Sequence, residues 1–400
     1  MKIALVIDAN GSYGRGLLRG IARYAHSNGS WQVTYEEWFE GDALPQWLAP
    51  RKFQGVLCRI RNPRQFAALE RLRIPVVDLG SMDYSGNIVH VHGDHRAIAK
   101  LAADHLMQCG LSVFAYCGFA KQRFSERRSA AFQEYLHQRG SSASLFLLDH
   151  KPGGADGNLP LLQWLADLPK PAGLMACNDL CGRQVLAACQ QLRLRVPEEI
   201  ALVGVDNDEV LCELAIPSMT SVDPAAQRIG FEAAELLDRL IAGEAPPPGF
   251  VLVAPSEIVT RTSTDTFAVD DPLLVAALRC IRERGGSGLS IKDVLQHLCQ
   301  QGMPVSRSTL ERRFAALLRP LPHQEIIRAR LHRIERLLRN TEYPLWRIAE
   351  LTGFNSEPQL NHFFKRYRGI TPGNFRLRLP GAEPPAVRKN RASAAHAARL

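Results

Sequence analysis

Short apolar runs and helical patterns alternate through the first 250 residues of the chain. Ile3-Ala-Leu-Val-Ile7 is an unbroken apolar run, and residues 16–26 then place Leu17, Leu18, Ile21 and Ala22 at helical spacing. Further strand-like runs occupy 32–35, 55–60, 74–79, 113–117, 144–148, 173–177 and 200–205. Helical patterns at 63–71, 94–109, 127–139, 159–168 and 179–192 fall between most of them. Strands that are apolar without alternating are buried on both faces, which implies parallel sheets covered by helices, an α/β architecture. Such units recur before about residue 100 and again from about 112 to 240, and a last strand run lies at 249–253. That arrangement predicts two similar lobes with a cleft between them. Ala245-Pro-Pro-Pro-Gly249 ends the last helix of this region, and the polar, turn-rich stretch 260–271 reads as a linker.

Beyond Pro272 the strand signal disappears. Helical patterns at 273–284, 290–301, 308–318, 324–339, 345–352 and 358–368 predict a compact all-α domain. The expected division is a two-lobed domain over 1–268, a linker and first helix over 269–284, a helical domain over 285–380, and a disordered basic tail over 381–400, which is Ala-rich and has little other apolar content.

Charge sharpens this division. The chain of 400 residues carries 49 Lys and Arg against 40 Asp and Glu, a formal charge of +9. Residues 271–400 hold 23 basic and 10 acidic residues, so the last third stands at +13 and the first two thirds at −4. A basic excess confined to one helical segment is the footprint of a part that meets a polyanion. Nine cysteines at irregular spacing do not form a disulfide framework in so long a chain, and a reducing compartment fits them better. The N-terminal apolar run is too short for a signal-peptide core, and no window approaches 18 uninterrupted apolar residues, so a cytoplasmic protein without a membrane span is expected.

Within the basic segment, Tyr343 to Tyr367 has the layout of a helix-turn-helix. Ile348, Ala349 and Leu351 form an apolar first helix, Gly353 supplies the positive φ for a tight turn, and Ser356 is placed to cap the second helix. That helix turns Leu360, Phe363 and Phe364 inward. It leaves Glu357, Gln359, Asn361, His362, Lys365 and Arg366 outward, a mixture of base-edge readers and phosphate binders suited to a major groove. A second copy lies upstream, with Ile291, Val294 and Leu298 on one helix, Gly302 in the turn, and Ser306, Arg307, Ser308, Thr309, Arg312 and Arg313 on the other. The two second helices begin about 51 residues apart across a long helical connector, so they are spaced to enter successive major grooves about one helical turn apart.

Ile348-Ala349, Thr352-Gly353-Phe354, Phe363-Phe364-Lys365, Gly369, Thr371-Pro372 and Phe375-Arg376 resemble the C-terminal signature of the AraC-type transcription regulators, and Arg330 with Leu337-Leu338 matches their connector helix. The resemblance covers 285–379. It departs at 319–322, where the family more often has a glycine followed by a small polar residue. It implies sequence-specific binding to double-stranded DNA.

Three patterns in the first 270 residues point elsewhere. His90-Val-His92-Gly-Asp94-His95 fits the H-x-H-x-D-H zinc pattern of the metallo-β-lactamase superfamily, the basis for a rival reading as a zinc-dependent hydrolase. No histidine lies between His150 and His297 to complete such a site, and Asp94 is equally suited to capping the following helix, with the histidines on its approach loop. Gly14-x-Gly16-x-x-x-Gly20, followed by Glu36 and Glu37 after the next strand, imitates a dinucleotide-binding fingerprint, yet Gly14 comes seven residues after the strand's last apolar residue. Cys177 and Cys181, a helical turn apart, lack partners for a metal site and read as small buried hydrophobes.

A different resemblance covers the whole region. Residues 2–8 and 14–24, 94–110, Arg128-x-x-Ala-Phe132, Asn178-Asp179, Val196-Pro-Glu-Glu-Ile200, Val203-Gly-Val-Asp206-Asn207 and Arg261-Thr-Ser263 are similar to the LacI and periplasmic-binding-protein type of sensor. Ala131 stands where that family usually has glycine. The resemblance implies a ligand between the lobes, met by Arg128, Asn178, Asp179, Asp206 and Asn207 from the second lobe and by Asp8, Ser12, Tyr13 and Asp83 from the first. An AraC-type reader behind a LacI-type sensor is the arrangement of the xylose operon regulators, and the full chain resembles that family. It implies a sugar effector, D-xylose or a related pentose, an operator DNA partner, RNA polymerase as a further partner and a homodimer. It implies no metal, no cofactor and no catalytic step. A regulator sensing a non-sugar metabolite is the remaining alternative.

Overall fold

A computed structural model describes the chain except for residues 29–30, 40–41, 44, 49–51, 81–85, 150–158, 266–270, 318–320, 342 and 378–400. Asp83, most of the stretch joining the two domains, residues 319–320 and the C-terminal tail therefore lie outside the described residues. The chain divides into two compact units, Met1–Ala268 and Val269–Leu400.

The first unit holds two six-stranded sheets. One is built from β1 (Lys2–Val6), β2 (Gln32–Glu36), β3 (Gly55–Cys58), β4 (Val76–Asp78), β5 (Val89–Gly93) and β11 (Val251–Val253), in the order β11-β5-β4-β3-β1-β2. The other uses β6 (Val113–Phe119), β7 (Ala143–Leu148), β8 (Ala172–Ala176), β9 (Ile200–Val205), β10 (Thr220–Asp223) and β12 (Glu257–Val259), in the order β12-β10-β9-β8-β6-β7. All pairings are parallel except β10 with β12, where Val222 sits opposite Ile258. Strand β1 shows why a continuous apolar run is needed: Ile3 and Leu5 enter one core with Leu17 and Ile21, while Ala4 and Val6 enter another with Trp38 and Leu69. Successive side chains point to opposite faces, and both faces are covered.

Helices α1 (Ser12–Asn28), α2 (Pro63–Glu70), α3 (His95–Gln108), α4 (Arg123–His137), α5 (Leu159–Asp167), α6 (Asp179–Gln191), α7 (Glu209–Leu214) and α8 (Ala226–Ile241) cover the sheets. The lobe boundaries differ from the sequence expectation. Ile98, Ala102 and Leu106 of α3 lie in the second-lobe core, whereas Ile229, Ala233 and Leu237 of α8 lie in the first-lobe core. Chain order hides this exchange, because the path crosses between lobes three times: after Gly93, at Pro224 and between Val253 and Glu257. The crossings run side by side, with Asp94 N–H donating to Val253 O (2.8 Å) and Ser256 N–H to Asp223 O (3.0 Å).

Helices α1 and α8 pack so closely that Cβ atoms are excluded. A Cβ on Gly16 would lie 2.7 Å from Ala226 Cβ, and one on Gly20 would lie 1.9 Å from Gln227 O. Gly16 and Gly20 of the dinucleotide-like pattern thus admit a neighbouring helix rather than a pyrophosphate, and Gly14 packs on the Asp8 backbone, where a Cβ would lie 2.0 Å from its oxygen. Strand β10 escapes the apolar pattern because Thr220 and Ser221 are polar yet fully buried, their hydroxyls bonded to Thr264 and Asp179. The stretch 260–265 is likewise no free linker. Ser263 is buried, donates to Leu202 O (2.6 Å) and accepts from Thr220 N–H (2.8 Å), which fixes this segment to the second lobe.

The second unit is all-α among its described residues: α9 (Pro272–Arg284), a 3-10 turn (Gly285–Ser287), α10 (Ile291–Gln300), α11 (Arg307–Leu317), α12 (Pro322–Asn340), α13 (Leu345–Leu351), α14 (Glu357–Arg368) and α15 (Pro372–Leu377). Leu331, Ile334 and Leu338 of α12 share a core with Ile348, Leu360 and Phe364. The short α15, too brief to show a period, presents Phe375 edge-on to Phe364 at 5.4 Å.

Candidate functional site: an interlobe cleft and a paired reading surface

The ends of β1, β3, β8 and β9 deliver chemistry to the cleft, where open α/β sheets bind ligands beyond their strand carboxyl ends. Asp8 follows β1, Arg59 and Arg61 follow β3, Asn178 and Asp179 follow β8, and Asp206 follows β9; Ser12 and Tyr13 open α1, and Arg128 sits on α4. They line a cavity of about 870 Å³ bounded by both lobes.

Two charge clusters face each other there. In the first lobe, Arg59 Nη1 donates to both Asp8 oxygens (3.1 and 3.2 Å), and Arg61 donates to Oδ2. Burial raises the Asp8 carboxyl, but the two guanidiniums outweigh it and hold the group below the usual carboxylate range. Arg59 also lies over the Tyr13 ring at 5.1 Å, and burial raises that phenol. In the second lobe, the buried Arg128 places Nη2 3.6 Å from Asp206, donates from Nη1 to Cys177 O and covers the Phe124 ring at 5.4 Å. Asp206 adopts φ +107°, a conformation that costs a non-glycine residue energy and that tends to persist at functional sites. Burial pushes its carboxyl up to about 6 against the opposing pull of Arg128 and Arg59. Across the cleft, Arg15 reaches from α1 to within 3.7 Å of Asp208.

The remaining expected ligand residues separate by their partners. Asn178 lines the cavity and its Oδ1 caps α6 by accepting from Cys181 N–H (2.9 Å). Asp179 borders the cavity but is committed inward, accepting from Ser221 Oγ (2.6 Å), Asp208 N–H (2.7 Å) and Cys212 Sγ (3.4 Å); burial, then Asp206, push it up to about 8. Asn207 is absent from the cavity wall, and its Oδ1 accepts from Arg261 Nη2 (2.9 Å) instead. Arg59, Arg61 and the aromatic side chains of Phe39, Phe119 and Phe124 also line the cavity, and they are not among the residues expected from sequence. The available signal was Cys58-Arg-Ile-Arg61, two cations at alternating positions directly after a buried strand.

The histidines of the zinc-like pattern have other work. His90 and His92 sit in β5, not on an approach loop. His90 Nδ1 lies 3.0 Å from Asp78, and His92 accepts from Arg127 Nη1 at Nε2 (3.0 Å) while its Nδ1 faces Gly93 O (3.1 Å). An arginine donor claims the lone pair a metal would need. Burial lowers both His92 and His95, and Arg128 adds to the effect on His95. Asp94 caps α3, accepting from Arg96 and Ala97 N–H. Among the described residues no three His, Cys, Asp or Glu side chains are grouped to hold a metal ion, so the hydrolase reading lacks its site.

In the second unit, α10–α11 and α13–α14 form the two expected helix-turn-helices. Ser306 Oγ accepts from Thr309 N–H (3.2 Å), and Arg307, Ser308, Arg312 and Arg313 are exposed along α11, with Thr309 half-buried. Arg307 pairs with Glu311 (2.9 Å) and Arg313 with Asp271 (2.8 Å). On α14, Gln359, His362, Lys365 and Arg366 are exposed and Glu357 and Asn361 half-buried, opposite the buried Leu360 and Phe364. Ser356 occupies the N-cap position but makes no side-chain capping bond; Gln359 Oε1 folds back to Asn355 N–H (3.2 Å) in its place. Arg330 of α12 donates to Thr352 O (2.7 Å) and Gly353 O and stacks 3.6 Å over Phe354, tying the connector to the turn.

Comparison with known proteins covers nearly all of this architecture. Residues 2–91 match the XylR N-terminal domain, 103–264 the periplasmic binding protein-like domain and 301–378 a helix-turn-helix domain. The xylose operon regulatory protein of Haemophilus influenzae is 30% identical over 388 residues, covering 94% of this chain and 98% of its own. This chain belongs to the xylose operon regulator family. The Escherichia coli K12 member is 27% identical, covering 94% and 96% of the two chains. A solved structure of a xylose-binding transcription activator, xylR, superposes with a TM-score of 0.72 at 26% identity, covering 94% of this chain and 97% of that one. As a xylose operon regulator family member, the chain is a sugar-responsive, DNA-binding transcription regulator, with the cleft in its sensor and the two helix-turn-helices in its reader. Among the described residues no helix of this family member is long and apolar enough to cross a membrane.

Proposed function

We propose that this regulator senses a pentose, D-xylose, in the cleft and activates genes for its use. The observation that carries this reading is the opposition of Asp8–Arg59–Arg61 to Arg128–Asp206 across one cavity flanked by aromatic side chains, since planar charged groups and ring faces are what hold a sugar's hydroxyls and its apolar face. Asp8, Ser12, Tyr13, Arg128, Asn178 and Asp206 contact the sugar; Asp179 and Asn207 support the second-lobe wall from behind. Sugar acts by binding one arrangement of the lobes more tightly than the other. The reader places α11 and α14 on operator DNA, as a homodimer in the cytoplasm, and recruits RNA polymerase. The names of the relatives support xylose and activation.

The test is a thermal-shift series on the full chain. D-xylose raises the melting temperature of the sensor transition, and Arg128→Ala abolishes that rise. Indifference to every common pentose rejects the sugar assignment. Operator affinity that survives deletion of 285–379 rejects the assignment of the reader.

A further inference from the structure

A close backbone contact joins the segment that leads into the first helix-turn-helix to the turn of the second. The 3-10 turn that precedes α10 lies against α12 and against the turn between α13 and α14. Gly288 (φ +91°) and Gly353 (φ +72°) touch there: a Cβ on Gly353 would lie 2.6 Å from both Gly288 Cα and Ser287 O, and one on Gly288 would lie 3.2 Å from Gly353 Cα. A Cβ on Gly285 would lie 2.9 Å from Ala329 Cβ of α12. Arg330 of the same helix holds the carbonyls of Thr352 and Gly353 at this point.

Gly302, the turn glycine of the first helix-turn-helix, has a similar φ of +75° but would present its Cβ to open space. The two turn glycines are therefore not equivalent. Gly302 serves its own turn alone, whereas Gly353 serves its turn and also lets the first half approach.

We infer that the Gly288–Gly353 contact positions the two reading helices relative to each other, and so sets the spacing of the paired half-sites on DNA. A side chain at either position must push the halves apart, by about 1 Å at Gly353 and by a few tenths of an ångström at Gly288, because ordinary carbon contacts begin near 3.5 Å. A rigid two-helix reader pays for such a displacement only when both helices engage the same duplex. The inference rests on the two-reader reading of the second unit.

The experiment uses the full-length chain and a duplex selected in vitro against the wild-type protein. Binding by Gly288→Ala, Gly353→Ala and Gly302→Ala is measured on that duplex, on versions with either half-site scrambled, and on versions with one base pair added or removed between the halves. Circular dichroism melts accompany each variant. Gly302→Ala carries the left-handed strain without the contact and so serves as the reference. The expected result is graded: relative to Gly302→Ala, Gly288→Ala loses about tenfold in affinity on the full duplex, the size of a lost base contact, and Gly353→Ala loses more. Neither exceeds the reference loss on a scrambled duplex, and a respaced duplex recovers part of the affinity of Gly288→Ala.

Equal losses on full and scrambled duplexes, or losses matching those of Gly302→Ala, overturn the inference. If Gly288→Ala unfolds, Gly288→Asn, whose residue type tolerates positive φ while keeping a side chain at the contact, must show the loss expected of the alanine variant. A selected duplex in which only one half-site affects wild-type binding overturns the two-reader reading itself, and the inference with it.

Discussion

Removing Arg128 tests the electrostatics of the cleft directly. Its guanidinium lies 3.6 Å from Asp206, with side-chain exposures of 4% and 18%. Coulomb's law at that separation, with an effective dielectric constant near 20, gives about 4.6 kcal/mol of attraction. Breaking a buried pair by removing one member costs about 3–5 kcal/mol, and the lower part of that range applies here because Asp206 keeps some exposure and the pull of Arg59. Arg128→Met is therefore expected to destabilise the sensor by about 3–4 kcal/mol near pH 8, and Arg128→Met combined with Asp206→Asn by much less than the sum of the single changes. Asparagine suits this cycle, since it tolerates the positive φ of position 206.

The pH dependence has a definite sign. The folded-state value of Asp206, about 6, exceeds its ordinary 3.8, so the folded protein holds the proton more tightly and stability falls as pH rises from about 4 to about 6. Without Arg128 the carboxyl rises further, and the fall continues beyond pH 6. The cost of Arg128→Met should accordingly be smaller at pH 5 than at pH 8. Urea unfolding of the full chain, followed by circular dichroism at both pH values for all four members of the cycle, supplies the measurement. A coupling below about 1 kcal/mol at pH 8, or a cost unchanged between the two pH values, refutes the assignment of Arg128 and Asp206 as an interacting buried pair.

Three further outcomes are expected. Arg330→Met removes two bonds to carbonyls and a stack on Phe354, and should destabilise the reader by about 2 kcal/mol in urea unfolding, with a loss of DNA affinity of more than about tenfold. Ser290→Ala removes a capping box from α10 and should lower reader stability by about 1 kcal/mol in the same assay. Lys365→Ala should weaken binding to specific and unrelated duplexes alike and reduce the slope of log affinity against log salt by about one, whereas Gln359→Ala should act mainly on the selected sequence.

The reader was the more legible half. Ile348, Leu360 and Phe364 follow helical spacing, turn glycines mark the bends, and all of the charge excess is local, so pattern and chemistry coincide. The sensor hid more. Its lobes exchange α3 and α8, which no local pattern records, and β10 reads as polar because Thr220 and Ser221 find hydroxyl and carboxylate partners inside the core. In the cleft, Asp8, Arg128 and Asp206 came from family resemblance, and the structure brings all three to one cavity. Arg59 and Arg61 carry no such signal, because basic residues after a strand look like solvated surface until Asp8 is seen between them. Asn207 stands beside Asp206 in sequence, yet its side chain turns to Arg261, as adjacent residues in an irregular segment are free to do.

The anchoring of residues 260–265 has a mechanical consequence. Ser263 and Thr264 are buried among β9, β10 and α3, so the chain leaves the sensor from the second lobe. The first lobe, which carries Asp8 and the arginines, has no such exit. Any rotation of one lobe against the other therefore moves this exit relative to Asp8, Arg59 and Arg61. A ligand bridging the cleft works as the short arm of a lever, and the long arm ends where the polypeptide sets out toward the reader.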